Sequence, residues 1–386
     1  MSPLRLPVWN QDTRMLSTYL HHPQKLWLRR ALFQVHLWAG ILLSLYAVVI
    51  SLSGALLVFQ DEIRLASLHR SPLDRTRLAS LNTVIACTHE RFPASRLTYV
   101  QFPQSNSPWW TLYLTSASEK QNIAYADATT ASPLPLKRRL FIDFMLDLHV
   151  YLLAGRTGFI VNCIAGMGLL LLAITGAILW WPGLRIWTRA LFVSLRHGWK
   201  RINYDLHSAV GFWTLAIVSW WGITAVYFLL PQQLSAVVNF VSPLAGMKPP
   251  TAPHPELSSS VVPLDHIIAA LPRITPGHLS GISLPAEPGG QVTVYADLRS
   301  PGDFSHRDII TFDGHTGNVL TIWHYGDNRT LGDWLLWLMH PLHFGTLWGL
   351  GVKILWSLLG LCVALLSVTG VLMYWNRKLR KWVSAW

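Results

Sequence analysis

Four stretches of this chain are too long and too apolar to be anything but membrane crossings. They lie at approximately 37–59, 159–181, 209–230 and 350–375. A bilayer core about 30 Å thick takes about 20 helical residues to cross. Inside it a chain must pair its own backbone groups, which a helix does unaided. The sequence therefore predicts an α-helical integral membrane protein with four spans. Composition agrees, since 51% of the 386 residues are hydrophobic and 13% are charged, where a soluble domain carries about 25% charged. The first run ends in "SGALLVFQDE" without an A-x-A-like cleavage site. It is also long for a signal-peptide core, so it reads as a retained helix.

The formal net charge of +12 becomes informative once it is located. Segments 1–30, 182–206 and 376–386 together hold 14 Lys/Arg and 2 Asp/Glu, while the rest of the chain holds 17 of each sign. Short loops rich in Lys and Arg stay in the cytoplasm. Both termini are therefore expected inside, and two long segments, about 60–157 and 231–346, outside. The basic excess is a topology signal, and no nucleic-acid partner is expected. Of three cysteines only Cys87 lies outside the spans, so no disulfide forms there within one chain. No C-x-x-C-H run offers covalent haem attachment.

The chain also repeats itself. Leu148-His149 is followed 27 residues later by Gly176 in "AITGAILWW". Leu342-His343 is followed at the same distance by Gly370 in "SVTGVLMYW", an offset of 194 throughout. Arg30 lies six residues before His36 in "HLWAG", and Arg201 six before His207 in "HSAVG". Further on, "SGALLVF" resembles "WGITAVYF" with a three-residue difference in spacing. Two copies of helix, exterior segment, helix follow, in the same orientation because each copy crosses twice.

The exterior segments rhyme too. "SLNTVIACTHERFP" and "PLDHIIAALPRI" read as short amphipathic helices, each followed by alternating runs such as "LTYVQF", "WTLYLT" and "QVTVYADL". "YADATTASPL" parallels "TFDGHTGNVL" as strand, turn with Asp127 or Asp313, and strand. Each segment is expected to be a small α+β domain, with the Pro- and Ser-rich stretch 242–263 as a linker before the second.

Sixteen histidines are present. His21, His22, His69, His197, His254, His266, His278, His306 and His315 sit in polar or turn-like contexts and read as surface. His36, His149, His207 and His343 each begin one of the four spans at matching places in the repeat. His36 and His207 fall near the cytoplasmic end, His149 and His343 near the outer one. His149 is 33 residues before Pro182, about 50 Å of helix, so it sits at or beyond the outer interface, on a helix broken at "GRTG". One reading makes each histidine a helix cap. The other makes facing pairs, which is what bis-histidine haem requires, with the flat macrocycle inside a helix bundle. Gly40 and Gly211, one turn after a histidine, and Gly158, Gly176, Gly345 and Gly370 would give a ring room, or serve plain helix packing. Zinc or copper would need further ligands, which Asp147 and His340 could supply only at the outer end. His340 has no partner in the repeat and is open to three roles: a haem propionate contact, substrate positioning, or a plain interfacial residue. No Rossmann glycine pattern occurs, so any electron donor is a separate molecule. Arg185, Arg189, Arg196, Lys200 and Arg201 would meet an anionic donor or simply mark the cytoplasmic side.

With its repeated "LH…TG" helices and "D-x-x-T-x-x-x-L" turns, the chain over about 25–380 resembles the PepSY-associated transmembrane helix family. Within it the likeness is to FoxB-type ferrisiderophore reductases. The resemblance implies a bacterial inner-membrane oxidoreductase with two haem b groups and two periplasmic PepSY-like domains. Axial haem ligation is carried over to His36, His207, His149 and His343. Electrons would come from an unidentified cytoplasmic or membrane donor and pass to a ferric siderophore in the periplasm. The expected layout is cytoplasmic 1–30, a span in 31–59, PepSY-like domain 60–140, interfacial helix and span 141–181, basic loop 182–206 and a span in 207–230. A linker and second PepSY-like domain at 231–333, an interfacial segment and span at 334–376 and a tail at 377–386 complete it. Two alternatives remain at this level: a regulatory or binding PepSY protein without redox activity, and a di-haem reductase of another acceptor.

Overall fold

The computed structural model of the chain describes residues 27–67, 77–104, 108–116, 121–134, 141–184, 186–253, 262–300 and 303–379. His21, His22, His69, His254, Arg185 and most of the two terminal segments lie outside the described residues. Among the described residues ten α-helices follow one another: α1 (Trp27–Leu57), α2 (Gln60–Ser67), α3 (Leu81–Arg91), α4 (Phe141–Tyr151), α5 (Gly155–Trp180), α6 (Trp199–Leu229), α7 (Pro231–Val241), α8 (Leu264–Ala270), α9 (Leu331–Phe344) and α10 (Leu350–Tyr374). The described strands between them are seven: β1 (Ser95–Gln101), β2 (Trp109–Ser116), β3 (Gln121–Asp127), β4 (His278–Ser283), β5 (Val292–Asp297), β6 (Arg307–Phe312) and β7 (Val319–Tyr325). They make two compact units, one from the described residues within 1–58, 145–234 and 342–386, the other from those within 59–144 and 235–341.

The first unit is a helical membrane bundle. Helices α1, α5, α6 and α10 are each long and apolar enough to cross a bilayer. Helix α1 packs on α5 and α10, and α6 packs on the same two, which closes a ring of four. Small residues permit the close crossings: a Cβ on Gly222 of α6 would come within 2.6 Å of Leu170 Cβ on α5. Packing of this kind holds helices together where lipid offers no hydrophobic drive. Leu42 and Leu45 of α1 and Leu358 and Leu361 of α10 stand exposed on the bundle surface, where acyl chains cover such side chains. Helix α6 starts at Trp199, inside the segment expected to be a loop. Its first turns gain the Arg201–Asp205 ion pair at 2.8 Å, an i,i+4 arrangement that supports helix.

The second unit is built on one antiparallel sheet of order β3-β2-β1-β4-β5-β6-β7. Its first three strands come from the segment between α1 and α5 and its last four from the segment between α6 and α10. The sequence suggests two small α+β units; in the structure β1 and β4 pair, with Val100 opposite Ile282. Unpaired, each would leave a row of backbone donors and acceptors open. The helices expected from "SLNTVIACTHERFP" and "PLDHIIAALPRI" are α3 and α8. Val84, Leu112, Ile267, Ile282, Ile310 and Phe312 belong to a single buried core. The Asp turns also form: Asp127 Oδ1 accepts from the backbone N–H of Thr129 and Thr130, and Asp313 Oδ1 from those of His315 and Thr316. Gly317 takes φ 74° after the second turn, whereas the first places Ala131 at φ 58°. A side chain in that region costs about 1–2 kcal/mol. The first turn is then followed by a lone bridge, Ala126 to Pro133, rather than by a strand.

Candidate functional site

Two histidine pairs face each other inside the membrane bundle. His36 on α1 and His207 on α6 have ring centroids 6.5 Å apart, with planes at 86°. His149, near the end of α4, and His343, near the end of α9, have centroids 6.4 Å apart, with planes at 61°. Seventeen residues of helix separate His36 from Ser53 on α1 and His207 from Thr224 on α6, so the pairs lie about 25 Å apart along the bundle.

Each imidazole is held by a hydroxyl of another helix. His36 Nδ1 is 2.9 Å from Thr175 Oγ1, and His207 Nδ1 is 2.9 Å from Thr369 Oγ1. His149 Nδ1 is 3.0 Å from Ser53 Oγ, and His343 Nδ1 is 2.6 Å from Thr224 Oγ1. Each hydroxyl is also within reach of a backbone carbonyl of its own helix: Thr175 of Leu171, Thr369 of Leu365, Ser53 of Val49 and Thr224 of Trp221, all at 2.8 Å. A hydroxyl has one proton; with that proton on the carbonyl, its oxygen accepts and Nδ1 carries the imidazole proton. For His149 the Ile50 carbonyl oxygen, 3.0 Å from Nδ1, demands the same tautomer. Neutral imidazole protonated at Nδ1 presents its lone pair at Nε2, the form that ligates metal.

The second pair needs more scaffolding, because its histidines lie on short helices that precede the spans. Helix α4 ends in a reversal through Leu152, Leu153 and Gly155, at φ 47°, 60° and 57°, immediately before the expected break. Asn162 of α5 reaches back, its Nδ2 donating to the carbonyls of His149 at 2.6 Å and Val150 at 3.1 Å. Tyr46 of α1 donates to Asn162 Oδ1 at 2.8 Å. Helix α9 ends likewise at Gly345, φ 68°, and Trp356 Nε1 donates to the Leu342 carbonyl at 2.7 Å. A Cβ on Gly345 would sit 2.6 Å from the Trp356 ring.

Not every glycine singled out in the sequence meets a histidine. Cβ atoms on Gly40 and Gly211 would touch Leu172 and Leu366 at ordinary distances. Gly176 and Gly370 do border the rings, with ideal Cβ positions 3.2 Å from His36 Cε1 and 3.3 Å from His207 Cε1. Gly54, which sequence reasoning passed over, is closest, at 2.8 Å from His149 Cε1. The hydroxyls were missed as well. Their signal was present, since Thr175 and Thr369 precede the two repeat glycines in "ITG" and "VTG". Ser53 and Thr224 share the offset of 171 that relates His36 to His207. On that offset "SGALLVF" lies over "TAVYFLL", which removes the three-residue slip.

The remaining histidines sort plainly. His89, His197, His266 and His278 are exposed, and His306 and His315 are half-buried in the sheet unit. His324 pairs with Asp308 at 2.6 Å. His340 is half-buried on α9 and belongs to the sheet unit, whereas His343 belongs to the bundle. Among the described residues, no three His, Cys, Asp or Glu side chains gather as a metal cage, so the structure lends nothing to a zinc or copper site built with Asp147 and His340. Trp323 and Trp337 donate to the carbonyls of Gly246 and Ser305 within the sheet unit.

The pairs fit a bis-histidine metal plane by geometry. Imidazole–metal bonds run about 2 Å, and a ring centre lies roughly 1 Å behind its nitrogen, so two opposed rings have centroids about 6 Å apart. Among the described residues the buried indole N–H groups of Trp180, Trp181 and Trp220 find no acceptor, and the carboxylates of haem groups would supply acceptors.

A family model of the PepSY-associated TM region matches residues 33–377, which include all four paired histidines. An uncharacterized protein of Pseudomonas aeruginosa is 27% identical over 267 residues, 61% of this chain and 64% of the relative. The chain thus covers just under two thirds of that relative's length.

Proposed function

The chain belongs to the PepSY-associated transmembrane family, and from that premise we propose that it is a di-haem b oxidoreductase of a bacterial inner membrane. It passes electrons from the cytoplasmic side to ferric siderophores in the periplasm. One observation carries the proposal: two facing histidine pairs, at separate depths of one bundle, each imidazole with its Nδ1 against a hydroxyl of another helix.

His36 and His207 hold the first haem, His149 and His343 the second. Once bound, the haems supply one-electron transfer between the two faces of the membrane. The protein's own part is to orient and to insulate. Thr175, Thr369, Ser53 and Thr224 fix the imidazole planes, Asn162 and Trp356 fix the two short helices, and the apolar bundle keeps water from the path. Orientation follows from charge, because Arg196, Lys200, Arg201 and Arg377 flank the end that carries His36 and His207. That end is cytoplasmic by the positive-inside rule. Arg29 reinforces it by donating to the Ile178 and Trp181 carbonyls at the end of α5. The sheet unit then lies in the periplasm, and the two copies of helix, exterior segment and helix insert in the same orientation.

The substrate assignment rests on the likeness to FoxB-type reductases and on iron chemistry. Ferric iron is held tightly by the hard oxygen donors of a siderophore. One electron converts it to Fe(II), which those donors hold weakly, and no bond has to form with the protein. No acid or base is assigned, since outer-sphere transfer moves no proton. The donor is a separate molecule on the cytoplasmic or membrane side.

Pyridine haemochrome quantification on detergent-purified protein tests the cofactor, with about two b-type haems per chain expected. A reduced sample mixed with ferric siderophore should reoxidise as ferrous iron appears in a chelator assay. Haem-free protein from haem-replete cells would overturn the proposal and favour a regulatory or binding role for the sheet unit.

A further inference from the structure

The four hydroxyls that hold the histidines do more than pack. Resting on the di-haem reading, we infer that Thr175, Thr369, Ser53 and Thr224 are positioning residues that set the redox potentials of the two sites. Each hydroxyl stands between a carbonyl of its own helix and a histidine Nδ1, placed to give its proton to the first and to accept one from the second. A donor already polarised by giving its proton away is a better acceptor, so each Thr or Ser draws on the Nδ1–H bond. An imidazole whose Nδ1–H is drawn upon is a more basic ligand at Nε2. A more basic axial ligand stabilises the ferric over the ferrous state, and hydrogen bonding around the axial ligand is one of the protein's levers on a haem.

The four contacts are built alike although they join different helices. The hydroxyl-bearing helix is α5 for His36, α10 for His207, α1 for His149 and α6 for His343. Each span therefore either lends a hydroxyl to a histidine of another helix or does so while carrying a ligand itself. Helices α1 and α6 do both, with His36 and Ser53 on α1 and His207 and Thr224 on α6. A shift of either helix along its axis would disturb both sites together, so the hydroxyls also tie the two sites to one register.

The test compares isosteric loss with conservative rescue in the full-length, haem-loaded protein. In Thr175→Val and Thr224→Val the hydroxyl acceptor is gone but the shape is kept; in Thr175→Ser and Thr224→Ser it returns. Spectroelectrochemical titration should show two haems in every variant. The valine variants should raise the midpoint potential of one haem by about 59 mV, about a tenfold fall in its ferric-to-ferrous ratio at a given potential for one electron. Thr175→Val should move the site that His36→Ala abolishes, and Thr224→Val the site that His343→Ala abolishes. The serine variants should titrate as the parent protein does. Valine variants with unchanged potentials, or serine variants that shift as far as valine, would overturn the inference while leaving the di-haem reading intact. Parent protein without haem would overturn both.

Discussion

Asn162 Nδ2 lies 2.6 Å from the backbone carbonyl oxygen of His149, and Asn162 Oδ1 accepts from the Tyr46 hydroxyl at 2.8 Å. A helix that must stop just after a ligand leaves its last carbonyls without helical partners. Here Asn162 of the next span satisfies those of His149 and Val150. Asn162→Leu should therefore free the end of α4 and cost about 1–3 kcal/mol. The second haem should be lost or become high-spin while the first is untouched, read by haemochrome yield and reduced spectra. Equal loss from both sites would contradict this assignment.

Removal of a ligand should be selective. His36→Ala and His207→Ala should each abolish one haem, and His149→Ala and His343→Ala the other, so yields fall from about two to about one. Two haems retained in any of the four variants breaks the corresponding assignment.

Gly54 gives a steric test of the same site. An added Cβ falls 2.8 Å from His149 Cε1, closer than real Cβ contacts allow, and the ring is pinned behind by Ser53 and Ile50. Gly54→Ala should perturb or empty the second site. Gly176→Ala and Gly370→Ala, at 3.2 and 3.3 Å from their rings, should act more mildly. Reduced absorption spectra of the three variants separate the cases.

Asp333 offers a pH test of the sheet unit. Its carboxylate is fully buried and accepts backbone N–H groups from Ala245, Gly246, Met247, Arg329 and Thr330. Burial alone would raise its pKa, but these donors outweigh burial and hold it well below the usual carboxylate range. A depressed folded-state pKa gives stability that is present above the unfolded value, about 3.9, and is lost as pH falls towards the folded one. Asp333→Asn should lower the melting temperature at neutral pH. It should also flatten its fall below about pH 4, as followed by calorimetry in detergent.

Membrane spans and the paired histidines were legible in the sequence because both signals are local: a run of apolar residues, and a histidine at a fixed distance from a glycine. The hydroxyls were present in the same letters, yet Ser and Thr are common inside membrane helices. Only the geometry separates Thr175, against His36, from Thr214, which bonds its own helix at Val210. The single sheet was not legible at all. Nothing in "LTYVQF" or "HLSGIS" announces that one would lie beside the other, because strand partnership across a long separation leaves no periodicity. Gly54 was hidden for a related reason, since the ring it accommodates comes from α4.

The pairing of β1 with β4 has a consequence for how the molecule is made. Val100 lies opposite Ile282, 182 positions later, and two membrane crossings are synthesised between them. As the chain emerges, β1, β2 and β3 are complete long before β4 exists, and β1 is left as an edge with an open hydrogen-bonding ladder. Contacts so distant in sequence form slowly, and an open edge invites the wrong neighbour. Biogenesis of this protein thus includes an interval in which half a sheet waits for the other half. Its ribosome, insertion machinery and any attendant chaperone must bridge that interval before the nascent chain can aggregate.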